Sequence, residues 1–346
     1  DLHSFPTRRS SDLKLSYTST YEPVKKQVIV VINQSQDQPF EFPLAIDVYD
    51  NGKPKRFNVW VNAKAKNTFT FDSSKTPDLI NINADGILVA DVTETKTPEQ
   101  SFLQFTGSKE YKSKSIALSN IKEDAGKNPV AIKLLAAAIK DPYFRIREQA
   151  LEQIDLTIPE QAKALTADVE KLASNDPKTL VQAAAISALV KTKNAKYSSI
   201  YEKGLNAVSN AVKGSSLAGI SELDPSKAVA AIENIDLNGA SDDLISKLLP
   251  LIVSKKIEKQ MPAIGTTVAF YPFIKFQDPT LGKSAEEGYN WIMSSDNLKA
   301  TEKVTKVLQQ AKSQMPDNPQ IKMMISQMLK DGLNKKMEVL KNNPNS

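Results

Sequence analysis

The sequence predicts a multidomain chain of the β-then-α type: a small antiparallel β-sandwich over residues 14–97, then an all-α helical-repeat domain over residues 98–346. Three observations predict it. Apolar residues recur at every second position up to about Lys96, and at every third or fourth position beyond it. An Asn-Gly pair sits between two of the alternating runs. Beyond residue 96, a capping residue followed by proline recurs along the chain.

Residues 1–13 precede these patterns. They read Asp-Leu-His-Ser-Phe-Pro-Thr-Arg-Arg-Ser-Ser-Asp-Leu and resemble the translation of a short sequencing adapter. They are expected to be disordered and foreign to the fold, and with no apolar core they are not a signal peptide. The adapter reading also implies that the start of the coding sequence is missing. His3, the only histidine, lies in this segment, and the chain has no cysteine. Past residue 13 the imidazole and thiolate groups of most zinc sites and catalytic triads are therefore lacking.

In the first domain, Phe57, Val59 and Val61 alternate with polar residues, as do Phe69 with Phe71 and Ile80 with Ile82. That is the pattern of half-buried strands. Val28 to Ile32 is apolar on both faces, as in a central strand. Leu44 to Tyr49 and Arg56 to Val61 flank Asp50-Asn51-Gly52-Lys53, where Asn-Gly supplies the positive φ angles of a hairpin turn. About six or seven short strands over this length fit a small sandwich. Trp60 has the chemistry of a ligand-stacking residue, but packing or a partly exposed cross-strand position is the favoured reading.

In the second domain, helix starts are expected at Thr97-Pro98, Asn128-Pro129, Asp141-Pro142, Asp176-Pro177, Asp224-Pro225, Asp278-Pro279 and Asn318-Pro319. Thr97 and Gln100 have capping-box spacing. Two segments match. Asp141-Pro142 leads to Arg145-Ile146-Arg147 and Ala150-Leu151, and Asp176-Pro177 leads to Val181-Gln182-Ala183 and Ala188-Leu189. The match resembles the second helix of HEAT-like repeats, which stack helix pairs into a curved array. The later intervals are irregular, and an irregular all-helical bundle is the alternative.

Composition narrows the function. The net charge of +5 comes from lysines interspersed with Asp and Glu, and arginine is scarce. That describes a solvated surface rather than a nucleic-acid-binding face. No apolar stretch is long enough to span a membrane, and Leu248 to Val253 contains Pro250. Without cysteine, nothing indicates the redox compartment.

The candidate sites are weak. Gly282-Lys283-Ser284 resembles the end of a phosphate-binding loop, but Gln277 stands where that motif needs glycine. Asp242-Asp243 and Glu286-Glu287 are adjacent on helices, about 100° apart around the axis, so neither makes an acid–base pair by itself. Asn33-Gln34-Ser35 fits a glycosylation sequon. Phe270-Tyr271-Pro272-Phe273-Ile274-Lys275-Phe276 has the composition of a cavity lining, with burial in the core the favoured reading. No local signature supports a Ser–Lys nucleophile. No residue is assigned a catalytic, cofactor-binding or metal-binding role.

One stretch is more specific. Val31-Ile32-Asn33-Gln34-Ser35-Gln36, then Pro39-Phe40-Glu41-Phe42-Pro43-Leu44, resembles the sandwich domain of the aminopeptidase N-like family of zinc metallopeptidases. Pro77-Asp78-Leu79-Ile80-Asn81-Ile82-Asn83 with Ile87-Leu88 is similar to the last strands of that domain. Tyr111 to Leu118 and Asp141 to Leu151 are similar to its first helical repeats.

The resemblance implies an order of domains in which a thermolysin-like zinc domain precedes the sandwich. Neither His-Glu-x-x-His nor Gly-x-Met-Glu-Asn occurs in this chain. The expectation is therefore a non-catalytic C-terminal part of a zinc aminopeptidase, inactive alone and holding no cofactor. Zinc would belong to a missing catalytic domain. The implied partners are that upstream domain and the peptide substrates of the parent. The alternatives are a sandwich-plus-solenoid interaction scaffold and a hydrolase of unrecognised type.

Overall fold

Alternating apolar side chains build the first part of the molecule. The structure, a computed structural model, describes residues 13–237, 239–314 and 318–342. His3 and the leading segment through residue 12 lie outside the described residues. The strands are β1 (Lys14–Glu22), β2 (Gln27–Gln34), β3 (Phe42–Asp50), β4 (Lys53–Val61), β5 (Lys66–Asp72), β6 (Leu79–Ile82) and β7 (Asp91–Thr93). They form two sheets, ordered β5-β2-β1-β7 and β4-β3-β6.

β2 lies inside its sheet, as its two-sided apolar sequence predicts. Val28, Val30 and Ile32 point into the core beside Leu15, Leu44, Ile46 and Val61. The pairings are antiparallel except one: β7 joins β1 in parallel, Leu15 opposite Val92. The turn between β3 and β4 has φ of 50° at Asn51 and 71° at Gly52, the two positive angles a two-residue hairpin needs. β4 is an edge strand, and its first four residues, Lys53-Pro54-Lys55-Arg56, are exposed. Leu13, counted by sequence with the leading segment, is packed in the sandwich core, and its carbonyl accepts from Asp91 N at 2.9 Å.

Helices follow: α1 (Pro98–Gly107), α2 (Tyr111–Asn120), α3 (Pro129–Ala138), α4 (Phe144–Glu152), α5 (Pro159–Asn175), α6 (Thr179–Val190), α7 (Ser198–Leu205) and α8 (Asn210–Leu223). The rest are α9 (Pro225–Asn234), α10 (Asp242–Ser254), α11 (Met261–Ala269), α12 (Tyr271–Gln277), α13 (Pro279–Met293), α14 (Leu298–Gln314) and α15 (Pro319–Asn342). The β-then-α fold class is as expected. Packing divides the chain into two units, residues 1–168 and 169–346. The switch from strand to helix between Thr93 and Pro98 is therefore not where the packing divides. In the second unit the core includes Leu249, Ile252, Ile264, Val268, Ile292 and Val304. Among the described residues no helix is long and apolar enough to cross a membrane.

Most of the cap–proline pairs work as expected. Thr97 and Gln100 form both bonds of a capping box. Asn128, Asp224 and Asp278 accept from the first free N–H groups of α3, α9 and α13, and Asn318 accepts from Ile321 N on α15. Asp141-Pro142 and Asp176-Pro177 depart from that expectation, because α4 and α6 begin two residues later. The two aspartates instead accept from the backbone N–H two residues on, Tyr143 and Lys178, each at 2.8 Å. That is an Asx turn. A side chain six residues ahead then returns to each aspartate's carbonyl: Arg147 at 2.8 Å and Gln182 at 2.6 Å. The matched segments thus share a turn locked from inside the helix.

Candidate functional site

A buried polar cluster of the first unit surrounds Lys96, between the strands and α1. Its side chain is 1% exposed, and its ammonium donates to Glu94 Oε1 at 2.7 Å, Gln104 Oε1 at 2.8 Å and Asn81 Oδ1 at 3.0 Å. Gln104 in turn donates to the Ser113 carbonyl at 2.9 Å. Burial holds the Lys96 pKa below the usual lysine value, with Glu94 opposing the shift. Tyr17 donates to the Ile80 carbonyl at 2.8 Å, and burial together with Glu94 raises its pKa. An ammonium has three protons, and all three are engaged here. The cluster therefore fastens α1 and α2 to β6 and does not present a nucleophile. In the sequence Lys96 is indistinguishable from a solvated lysine.

The family-like motif residues are also structural. Gln34 is buried, and its amide N donates to the carbonyls of Phe40, Asn62 and Lys64. Its amide O accepts from Phe40 N at 2.9 Å and from Gln36 Nε2 at 2.6 Å. One glutamine thus ties the end of β2 to two loops, which explains glutamines spaced ahead of a phenylalanine. Replacing Gln34 with leucine strands these loop groups, and a loss of about 2 kcal/mol is expected in urea unfolding followed at Trp60. Near the end of the sandwich, Asn83 exchanges two bonds with Leu88, at 3.0 and 3.1 Å. The sequon residue Asn33 lies within β2, paired to Ser16 on one side and Lys66 on the other.

The remaining sequence candidates fall apart as sites. Trp60 is 54% exposed on β4, opposite Pro43. Gly282 lies inside α13, where an added Cβ would come 2.2 Å from Lys275 Cα. Close helix contact, not phosphate binding, therefore explains that glycine. Asp243 pairs with Lys247 at 2.9 Å, and Glu286 pairs with Lys275 at 2.8 Å. All of the aromatic stretch but Phe270 lies in α12, and it divides: Tyr271 and Ile274, half-buried, pack against the core, and Phe276 is 92% exposed. The favoured core reading thus holds for only part of it.

Tyr49 and Tyr201 carry buried hydroxyls with no hydrogen-bond partner among the described residues. Burial pushes each phenol up to about 12. A folded pKa above the unfolded value of 10 means stability is complete below pH 10 and is lost as pH rises toward 12. Replacing Tyr49 with phenylalanine removes the unpaired hydroxyl. The variant is expected to be as stable as the parent at pH 7, or more stable by up to about 1 kcal/mol. It should also unfold less steeply above pH 10 in alkaline titration.

A concave surface lies in the second unit, where Tyr271, Tyr289, Met323, Met324 and Met328 line a cavity of about 590 Å3, and of these only Tyr271 belongs to the aromatic stretch that the sequence offers as a cavity lining. Methionines scattered along α15 give no local signal of it. Among the described residues no group of three or more His, Cys, Asp or Glu could hold a metal ion.

No family model matches the chain. No curated protein matches its sequence. Among solved structures, the fold is similar to aminopeptidase A of Legionella pneumophila in complex with aspartic acid, with a TM-score of 0.52 and 13% identity. The match covers 93% of this chain and 49% of that one, so the chain spans about half the length of the protein it resembles. The complex of CpcE and CpcF of phycocyanin lyase from Nostoc matches with a TM-score of 0.38 and 14% identity, over 69% of this chain and 96% of that one.

Proposed function

We propose that this chain is the non-catalytic sandwich and helical part of a zinc-dependent aminopeptidase. There it closes the substrate cavity over a separate catalytic domain and limits access to free chain ends of peptides. The helices would form a HEAT-like array in that role. The observation that carries the reading is the fold likeness to an aminopeptidase over 93% of the chain, sandwich and helices together. The motif residues support it: Gln34, Phe40 and Asn83, singled out by resemblance, each hold a loop of the sandwich. Among the described residues no group of His, Cys, Asp and Glu fits a catalytic zinc. In this reading metal and acid–base chemistry belong to the separate catalytic domain.

Two measurements test the proposal. The isolated chain, supplied with zinc, is expected to leave an alanyl-anilide uncleaved, and zinc-dependent turnover would overturn the non-catalytic reading. Genomic sequence ahead of codon 14 is expected to encode an in-frame His-Glu-x-x-His, and a start codon there instead would favour the interaction scaffold. One observation supports that second reading. Tyr111 and Tyr143, 49% and 45% exposed, meet edge to face at 5.1 Å on the first unit. Exposed aromatic pairs of this kind are common at protein contacts.

A further inference from the structure

The methionine-lined cavity of the second unit has an unusual polar wall. Asp331 and Lys335 both line it, one turn apart on α15. Acid-then-lysine at this spacing can close into an ion pair. Asp243 and Lys247 do so on α10 at 2.9 Å, and Glu302 and Lys306 do so on α14 at 2.6 Å. Asp331 and Lys335 do not. Gln327 Nε2 donates to both Asp331 oxygens, at 2.9 and 3.0 Å, and Lys335 Nζ donates to Asn290 Oδ1 at 3.1 Å. Each charge is held by a neutral amide, and among the described residues neither has an ion-pair partner. A carboxylate with lone pairs to spare and an ammonium with free protons therefore stand side by side at an apolar cavity.

The rest of the wall is adaptable. Met323, Met324 and Met328 are flexible thioethers that repack around varied apolar shapes. Tyr271 and Tyr289 meet tilted at 44° with ring centroids 5.3 Å apart, and the Tyr289 hydroxyl is fixed on the Met328 carbonyl at 2.7 Å. An apolar cavity with a few convergent polar groups is the usual form of a small-ligand site.

We propose that this cavity binds a zwitterionic dipeptide with a large apolar side chain. Its ammonium sits on Asp331, its carboxylate on Lys335 and its side chain among the methionines. The proposed ligand length follows the one-turn spacing of the two residues along the helix. Four helical residues rise about 6 Å. The ends of an extended dipeptide lie about 6–7 Å apart. A free amino acid holds its charges closer together, and a longer peptide overshoots. This goes beyond the aminopeptidase reading and rests only on residues of this chain, so the two can fail separately.

Calorimetric titration of the full chain with L-leucyl-L-phenylalanine tests it. Saturable binding is expected, weakened about tenfold or more by N-acetylation or by C-amidation of the peptide, and weaker still for free phenylalanine. In Asp331→Asn the penalty for acetylation should vanish while the penalty for amidation persists, and Lys335→Gln should show the reverse. Both side chains are exposed. The variants should therefore melt like the parent, which separates lost binding from lost folding. No saturation at 10 mM peptide overturns the proposal. So does equal affinity for capped peptides, or a capping penalty that survives in both variants.

Discussion

Replacing Gly282 with alanine is expected to destabilise the second unit by about 3 kcal/mol or more. The added methyl would sit 2.2 Å from Lys275 Cα and 2.6 Å from Lys275 N. Those are backbone atoms, and no rotamer change relieves the clash. α12 would have to move off α13, breaking the Tyr271–Tyr289 ring contact. Each unit holds one tryptophan, Trp60 in the first and Trp291 in the second. Urea unfolding followed at Trp291, in a Trp60→Phe background, isolates the relevant transition. Lys283→Ala, at the adjacent exposed position, should shift it by less than about 0.5 kcal/mol. A phosphate-binding role would instead make Lys283 the critical residue and leave folding unchanged in both variants.

The second large effect is expected at Lys336, which is 4% exposed on α15. Its ammonium donates to the carbonyls of Ile292, at 3.0 Å, and Ser295, the last turn of α13 and the residues just past it. A lysine from another helix thus caps that end, where free carbonyls favour a cation. Ile292 O has other donors, the backbone N–H and hydroxyl of Ser295. Among the described residues the Ser295 carbonyl has only the Lys336 ammonium as a donor.

Lys336→Met keeps the stem and removes the donor, so a loss of about 2–3 kcal/mol is expected. Lys335→Met beside it should cost little. Burial lowers the Lys336 pKa from 10.5. Between the lowered folded value and 10.5 the unfolded chain binds more protons, so this group makes stability rise with pH there. The rise should be absent in the methionine variant. If Lys336→Met unfolds at the parent's urea midpoint, the capping role is wrong.

Local rules explain what the sequence shows and what it hides. Period-two alternation locates the strands, and Asn51-Gly52 marks its hairpin, because those signals act within a few residues. Capping is local too, so Asn128 and Asp278 behave as read. Asp141 and Asp176 do not, because side chains six residues ahead compete for their carbonyls. The parallel β1–β7 pair joins residues some 77 positions apart, with Lys14 opposite Asp91, and no short-range pattern encodes it. Lys96, Lys336 and the Asp331–Lys335 wall look like ordinary surface charges in sequence. Only tertiary packing separates a clamped lysine from a solvated one.

The exposed run Lys53-Pro54-Lys55-Arg56 on β4 has a consequence outside the folded monomer. An open sheet edge is a template on which further chains can add and polymerise. Proline offers no N–H there, and cationic side chains repel an approaching copy bearing the same charges. Exchanging Lys53, Pro54 and Lys55 for threonine and valine would leave the core untouched. The lasting effect would be on solubility: a well-folded protein that slowly gels, its growing edge beginning at the hairpin.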